Sequence, residues 1–229
     1  MKVFSFVICL FFVVGTSWSQ TGQKKVIPLT TTDHLTLLNV QAESVQLQGK
    51  SGLRIAKSPD YTTGETLVIL TDVRFKNGTI ELELTGEPAV DAEPAMRGFV
   101  GVAFRLTEGD PNRYECFYLR PTNARADNQL RRNHTTQYVS HPEFPWHRLR
   151  EESPGAYESY VDVVPGEWIK VKIEVANTKA RLYVNDSDQP SLIVNDLKHG
   201  EHEGSIGLWL HSSTVAHFRN LVVTPLPDY

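Results

Sequence analysis

The sequence predicts an all-β protein built as a two-sheet antiparallel sandwich. Apolar and polar residues alternate with a period of two over most of the chain between about residues 35 and 223. No segment has the spacing of an amphipathic helix of ordinary length, and glycines and prolines separate the alternating segments. Roughly a dozen short strands joined by turns are typical of such a sandwich.

Each predicted strand is an alternating run that ends at a turn residue. The clearest is TIELEL, which follows the turn residues Asn77 and Gly78. The predicted strands cover residues 44–48, 53–56, 65–70, 79–84, 99–106, 114–119, 160–164, 168–175, 180–184, 205–211 and 216–223.

The first nineteen residues have the composition of a secretory signal peptide. Lys2 supplies the charge, residues 3–14 are apolar, and Ser17 and Ser19 are the small residues that signal peptidase requires. We expect cleavage between Ser19 and Gln20 and a secreted or periplasmic product. The alternative, an uncleaved anchor, is disfavoured because the apolar run is too short for a stable membrane span.

The remaining chain is predicted to be a short N-terminal extension, residues 20–34, followed by one domain, residues 35–229. Chains of this length commonly form a single β-sandwich core. Cys116 is the one cysteine left after signal cleavage, so no intramolecular disulfide is expected. The formal net charge of −4 argues against nucleic acid as a partner.

The segment 113–160 differs from the rest of the chain. It begins as a strand and then loses every regular pattern, while arginines, histidines and aromatic residues accumulate in it. Long irregular segments within a compact domain are usually functional or disordered, and this one is too aromatic to be disordered. We therefore expect residues 122–159 to form an ordered excursion over one sheet and to wall a polar binding cleft.

Strand alternation predicts which side chains share a face. Arg105, Tyr118 and Arg120 are expected on one concave face, because they occupy equivalent positions of two predicted strands. The Trp209 side chain is expected to provide a second aromatic surface on the same face. Glu115 falls on the opposite face if the alternation is strict.

Several stretches together resemble a known family. They are FKNGTIELE, RGFVGVAFR, YECFYLRP, GEWIKVK and AHFRNL, beginning at residues 75, 97, 114, 166 and 216. Between about residues 35 and 223 the chain resembles the concanavalin-like 3-keto-disaccharide hydrolases, also described as 3-keto-glucoside lyase/hydratase domains. The resemblance implies a jelly roll of the concanavalin A-like lectin/glucanase type, a saccharide ligand and export. Sugar-binding relatives share the sandwich without catalysis, so a non-catalytic lectin-like module is the alternative, and a structural or adhesive surface module is a third hypothesis.

Cleavage of a 3-keto-glycoside by elimination and hydration requires a base, an acid and donors for a developing enolate oxygen. His134 and His141 fit the base and acid roles by their intrinsic pKa, and Glu115 fits only if it reaches the cleft. The predicted substrate-binding residues are Arg105, Tyr118, Arg120, Trp146 and Arg148. The plainer alternatives are ion pairing of Arg105 and Arg120 with Glu115 or Asp127, and a solvent-exposed or capping role for His134.

No metal site and no particular cofactor are predicted. The spacings typical of zinc ligands are absent from the sequence. Asp127, Asp186 and Asp188 could ligate calcium, although Asp186 and Asp188 more simply form a hairpin turn. Glu81 and Glu83 have the spacing of a retaining glycosidase pair, but their alternation favours a solvent-facing position.

Overall fold

The computed structural model describes residues 23–226, and these residues form mainly antiparallel β-strands. In chain order the strands of the described residues are β1 (Lys25–Ile27), β2 (Leu35–Leu38), β3 (Val40–Leu47), β4 (Lys50–Lys57), β5 (Leu67–Phe75), β6 (Gly78–Pro88), β7 (Val100–Leu106), β8 (Tyr114–Leu119), β9 (Thr136–His141), β10 (Glu158–Ser159), β11 (Ile169–Ala176), β12 (Lys179–Val184), β13 (Leu192–Val194), β14 (Gly204–Leu210) and β15 (Thr214–Pro225).

The strands form two sheets in which every pairing is antiparallel. The eight-stranded sheet has the order β13-β12-β11-β6-β15-β4-β3, with β1 also pairing with β15. The seven-stranded sheet has the order β10-β9-β8-β7-β14-β5-β2. The predicted fold class, an all-β two-sheet antiparallel sandwich, is confirmed.

The core lies between the two sheets. Leu84, Val171 and Leu182 of the eight-stranded sheet and Val102 and Phe117 of the seven-stranded sheet line one interior region. Burial of these apolar side chains is the main favourable contribution to folding. Cys116, a free cysteine, is also buried.

The outer faces of the two sheets differ in a way that bears on function. In β11 buried residues alternate with more exposed ones, as expected for a sheet with one face in water. In β7 and β8 every residue is buried, so the seven-stranded sheet is covered on both faces. The segment that follows β8 lies against this sheet, where α2 contacts β9.

That segment contains the helical structure of the described residues. A single 3₁₀ turn spans Pro121–Asn123, α1 spans Gln129–Asn133 and α2 spans Trp146–Glu152. Asn128 caps α1, since its side-chain oxygen accepts a hydrogen bond of 2.9 Å from the backbone of Arg131. The helix α2 lies against β9 and buries Leu149. The predicted excursion therefore lies against the seven-stranded sheet.

Two strand predictions in this region are wrong. The sequence analysis predicts no strand at β9. Almost every residue of β9 is buried, including the polar Thr136, Gln137 and Ser140, so polar and apolar residues do not alternate there. Conversely, residues 160–164 do not form a strand, and β10 ends before them at Ser159. Alternation of apolar and polar residues identifies a strand that is buried on one face, and it does not identify a strand that is buried on both faces.

At the N-terminus, β1 lies within the predicted extension and pairs with β15 from Lys25 to Ile27. The predicted signal peptide and its cleavage position lie outside the described residues. Within residues 23–226, no helix is both long and apolar enough to cross a membrane.

Candidate functional site

A cavity of about 600 Å³ opens on the outer face of the seven-stranded sheet. Its floor is formed by β8, β9 and β14, and its walls by the excursion, by the loop before β5 and by the loop before β7. The charged and aromatic side chains that line it include Glu65, Arg97, Tyr118, Arg120, Arg131, His134, His141, Trp146, Arg150, Trp209 and His211.

Two aromatic rings form the floor. Trp209 on β14 and Tyr118 on β8 both pair with Gly101 of β7, which lies between them. Because Gly101 has no side chain, the two rings meet above it, with centroids 4.9 Å apart and planes inclined by 33°. A Cβ at Gly101 would lie 2.6 Å from the Cα of Tyr118. This glycine is therefore required for the aromatic floor.

Arg120 follows β8 directly and lies beside Tyr118 with only 5% of its surface exposed. Its guanidinium donates hydrogen bonds of 2.8 Å to the Tyr118 hydroxyl, 3.1 Å to Gln137 Oε1 and 3.0 Å to the His134 carbonyl. Within residues 23–226, no carboxylate lies within 4.0 Å of it. Burial lowers the pKa of Arg120, and burial also raises the pKa of Tyr118 to about 12.

A histidine and a carboxylate lie together on one wall. His141 Nδ1 is 3.7 Å from Glu65 Oε1, and the imidazole stacks on the Tyr114 ring at 5.1 Å. The other oxygen, Glu65 Oε2, accepts hydrogen bonds from the Tyr114 hydroxyl at 2.5 Å and from Trp209 Nε1 at 3.1 Å. These two donors fix the carboxylate between the aromatic floor and the imidazole.

A second histidine and carboxylate lie on another wall. His134 Nδ1 is 2.7 Å from Glu158 Oε2, and the two groups form an ion pair when the imidazole is protonated. Arg150 holds the same carboxylate with two hydrogen bonds, of 3.0 and 2.7 Å. The Glu158 side chain is almost fully buried, so both partners help to compensate its desolvation.

Both imidazoles are in an environment that favours the neutral form. Burial is the main cause that lowers the pKa of His134 and of His141, and the neighbouring carboxylates oppose it. Neither Nε2 atom makes a hydrogen bond to another described residue. The two Nε2 atoms are therefore available to a ligand in the cavity, as a proton acceptor on a neutral ring or a proton donor on a protonated ring.

The rim carries an exposed aromatic ring. Trp146, the first residue of α2, is 45% exposed and lies against Arg150, whose guanidinium carbon is 4.8 Å from the ring centroid. A large apolar side chain held at the mouth of a polar cavity can stack on a flat apolar ligand surface.

The structure brings together five of the residues predicted from the sequence to form the site. They are Tyr118, Arg120, His134, His141 and Trp146, and all line the cavity.

Three further predicted residues lie elsewhere, so the prediction of one shared cleft is wrong for them. Arg105 is fully buried and donates hydrogen bonds to the carbonyls of Lys76, Gly200 and Asn177. The reason is a β-bulge: two residues of β7 lie opposite one residue of β14 here, and Arg105 has a φ of 53°. A bulge of this kind redirects the side chain and breaks the alternation.

Glu115 and Arg148 also lie away from the cavity. Glu115 is buried on the core side, as strict alternation requires, and accepts hydrogen bonds from the Tyr138 hydroxyl at 2.6 Å and the His199 backbone at 2.9 Å. Arg148 pairs with Glu152 at 2.7 Å on the exposed side of α2. Neither residue is in a position to touch a ligand on the aromatic floor.

Several lining residues were not assigned to the site from the sequence. Arg131 and Arg150 lie in the arginine-rich segment 113–160, so the composition of that segment indicated them in part. Glu65, Arg97 and His211 come from loops or strand ends distant in sequence, and no local pattern distinguishes them.

The metal alternatives find no support in the geometry. No group of three or more His, Cys, Asp or Glu residues between positions 23 and 226 is arranged to hold a metal ion. Asp186 pairs with Lys170 in the turn after β12. The alternative of a retaining glycosidase pair at Glu81 and Glu83 also finds no support. Glu83 lies on β6 of the eight-stranded sheet, where it pairs with Lys50, and not at the cavity.

Comparison with known proteins gives a family and a set of similar folds. The family model described as 3-keto-alpha-glucoside-1,2-lyase-like domain matches residues 16–224. No curated protein matches the chain.

Among solved structures, a protein of unknown function with a galectin-like fold from Bacillus subtilis has a TM-score of 0.57 at 12% identity, covering 92% of this chain and 99% of its own. The carbohydrate-binding module CBM66 from Bacillus subtilis has a TM-score of 0.53 at 13% identity, covering 83% and 96%. At these identities the likeness concerns the fold alone, and it is that of the predicted jelly-roll sandwich.

Proposed function

Because the chain belongs to the family of 3-keto-alpha-glucoside-1,2-lyase-like domains, we propose that it cleaves a 3-keto-glycoside by elimination followed by hydration. The observation that carries the proposal is the pair of histidine–carboxylate contacts, His141 with Glu65 and His134 with Glu158, facing one cavity above an aromatic floor. Elimination needs one group to accept a proton and another to donate one, and this cavity has both.

In the first step His141 takes the proton from C2 of the sugar, next to the ketone. A neutral imidazole is the competent form of a base, and burial favours that form in His141. The electron pair passes to the C3 oxygen and gives an enolate. The guanidinium of Arg120 stabilises this developing negative charge, since it is buried and has no carboxylate partner within residues 23–226.

In the second step the enolate returns to a ketone, the bond between C1 and its oxygen breaks, and a C1–C2 double bond forms. His134 in its protonated form donates a proton to the leaving oxygen. We assign the acid to His134 because its carboxylate contact, at 2.7 Å, is shorter than the 3.7 Å contact of His141 and favours a proton on the ring more strongly.

The hydration step returns His134 and His141 to the protonation states in which they began. Water adds its hydroxyl group to C1 and gives a proton to His134, while the protonated His141 returns its proton to C2. The sum of the two stages is hydrolysis of the glycosidic bond, with no net change in the protein. The rings of Tyr118, Trp209 and Trp146 bind the sugar by stacking during both stages.

The test is turnover of a 3-keto-α-glucoside, followed by release of the aglycone and by exchange of the C2 hydrogen in deuterated water. His141→Asn is expected to abolish both, whereas His134→Asn is expected to slow aglycone release and retain C2 exchange. His147→Asn is the matched control, because His147 lies in α2 but outside the cavity lining. Binding of glycosides without turnover or exchange would instead establish a lectin-like module.

The predicted export is part of this proposal. A secreted or periplasmic enzyme of this kind would act on saccharides outside the cytoplasm, after removal of residues 1–19. N-terminal sequencing of the exported protein tests it, and a mature chain that begins at Met1 would contradict it.

A further inference from the structure

The cavity carries more positive charge than elimination requires. Among the residues that the structure describes, four arginines line it, Arg97, Arg120, Arg131 and Arg150, against one carboxylate, Glu65. The buried Glu158 neutralises Arg150, which leaves three guanidinium groups against one carboxylate. The chain as a whole has a net charge of −4, so this positive charge is a local feature.

Two of these guanidinium groups have no acidic partner within residues 23–226, and the proposed reaction does not use them. Arg97 donates hydrogen bonds of 2.9 and 3.0 Å, but only to the carbonyls of Pro94 and Met96 in its own loop. The side chain of Arg131 makes no hydrogen bond to a described residue, and its Nε is buried without a partner. A buried, unsatisfied donor on a charged group is costly unless a ligand satisfies it.

The two groups also act on each other. Burial and the nearby positive charge of Arg131 both lower the pKa of Arg97. Two like charges beside one cavity repel each other, and an anion bound between them would relieve that repulsion.

We infer that the cavity takes a glycoside bearing an acidic substituent, such as a carboxylate, sulfate or phosphate group, which binds between Arg97 and Arg131. This inference rests on the proposed function, because it specifies the class of saccharide that the same cavity takes. The arginine side chain suits the role, since its planar set of N–H donors matches the oxygens of a carboxylate or of a sulfate or phosphate ester.

The experiment is isothermal titration of the mature protein with methyl α-glucoside and with its counterparts that carry a 6-carboxylate, a 6-sulfate or a 6-phosphate. At least one acidic sugar should bind about tenfold more tightly than the neutral one, as expected for one additional charge-assisted contact. The advantage should shrink as salt is added, and the three acidic sugars together identify the preferred group.

The variants Arg131→Gln and Arg97→Gln are expected to remove this advantage while leaving affinity for the neutral glucoside within about twofold. Arg148→Gln is the matched control, since Arg148 lies outside the cavity and pairs with Glu152. Melting temperatures of all variants show whether each is folded.

The outcomes separate the two proposals. Equal affinity for neutral and acidic sugars would overturn the inference and leave the proposed function standing. A parallel loss of affinity for all sugars in Arg131→Gln would also overturn it, because Arg131 would then be a general sugar contact. Failure of every titrated sugar, neutral or acidic, to bind would overturn the inference, whereas the proposed function is decided separately by turnover of the 3-keto-α-glucoside.

Discussion

Substitution of Gly101 by alanine tests the central geometric claim, that the aromatic floor exists because this position has no side chain. The added Cβ would lie 2.2 Å from the Phe117 carbonyl oxygen and 2.6 Å from both Cα and Cβ of Tyr118. Two of these three atoms belong to the backbone of β8, which cannot move without disturbing its pairing with β7. Relief of the overlap must therefore displace a strand in the middle of the seven-stranded sheet.

The expected cost follows from this geometry. Overpacking a well-packed interior typically costs about 1–3 kcal/mol, and an overlap with backbone belongs at the upper end. In a protein of this size, about 3 kcal/mol corresponds to a fall of roughly 6–12 °C in melting temperature. Sugar binding should fall as well, because Tyr118 moves away from Trp209.

Gly207→Ala is the matched control. Gly207 lies on β14 beside Ala103, and the three atoms nearest to an added Cβ there would be side-chain atoms of Leu67, Ala103 and Leu106, at 3.3–3.4 Å. Two of these contacts are to the ends of leucine side chains, which can shift, so a change of less than about 1 kcal/mol is expected. The measurement is thermal unfolding followed by circular dichroism. Equal melting temperatures for the two variants would show that β8 does not require a glycine at position 101.

Three further predictions follow from the same site. Arg120→Ala should lower the free energy of unfolding by at least about 3 kcal/mol, because it removes three hydrogen bonds of a buried charged group; a loss below about 1 kcal/mol in urea unfolding would contradict this. Trp146→Ala should leave stability within about 0.5 kcal/mol, since the ring is exposed, yet weaken sugar binding about three- to tenfold in titration; unchanged affinity would exclude stacking at the rim. Burial lowers the pKa of His134 and His141 below the ordinary value of 6.5, so the unfolded chain binds more protons than the folded protein as the pH falls below that value. Melting temperature should therefore be constant above about pH 6.5 and fall towards pH 5, with a smaller fall in His134→Asn; a flat profile would contradict the assignment.

Features that depend on local burial can be predicted from the amino-acid sequence alone. Alternation along β6 and β11 identified strands with one face in water, because each residue there reports its own side of the sheet. The same rule placed Tyr118 and Trp209 on one face and Glu115 on the other. The density of arginine, histidine and aromatic residues located the region that covers the cavity.

Which charged groups meet depends on how distant parts of the chain pack together. Glu65 approaches His141, and Glu158 approaches His134, because strands and loops distant in the chain come together at one sheet. The bulge in β7 turned Arg105 away from the cavity, since one extra residue reverses the face on which all later side chains fall. Alternation is a property of neighbouring residues in one strand, whereas partner choice and register are set by the packing of the whole sandwich.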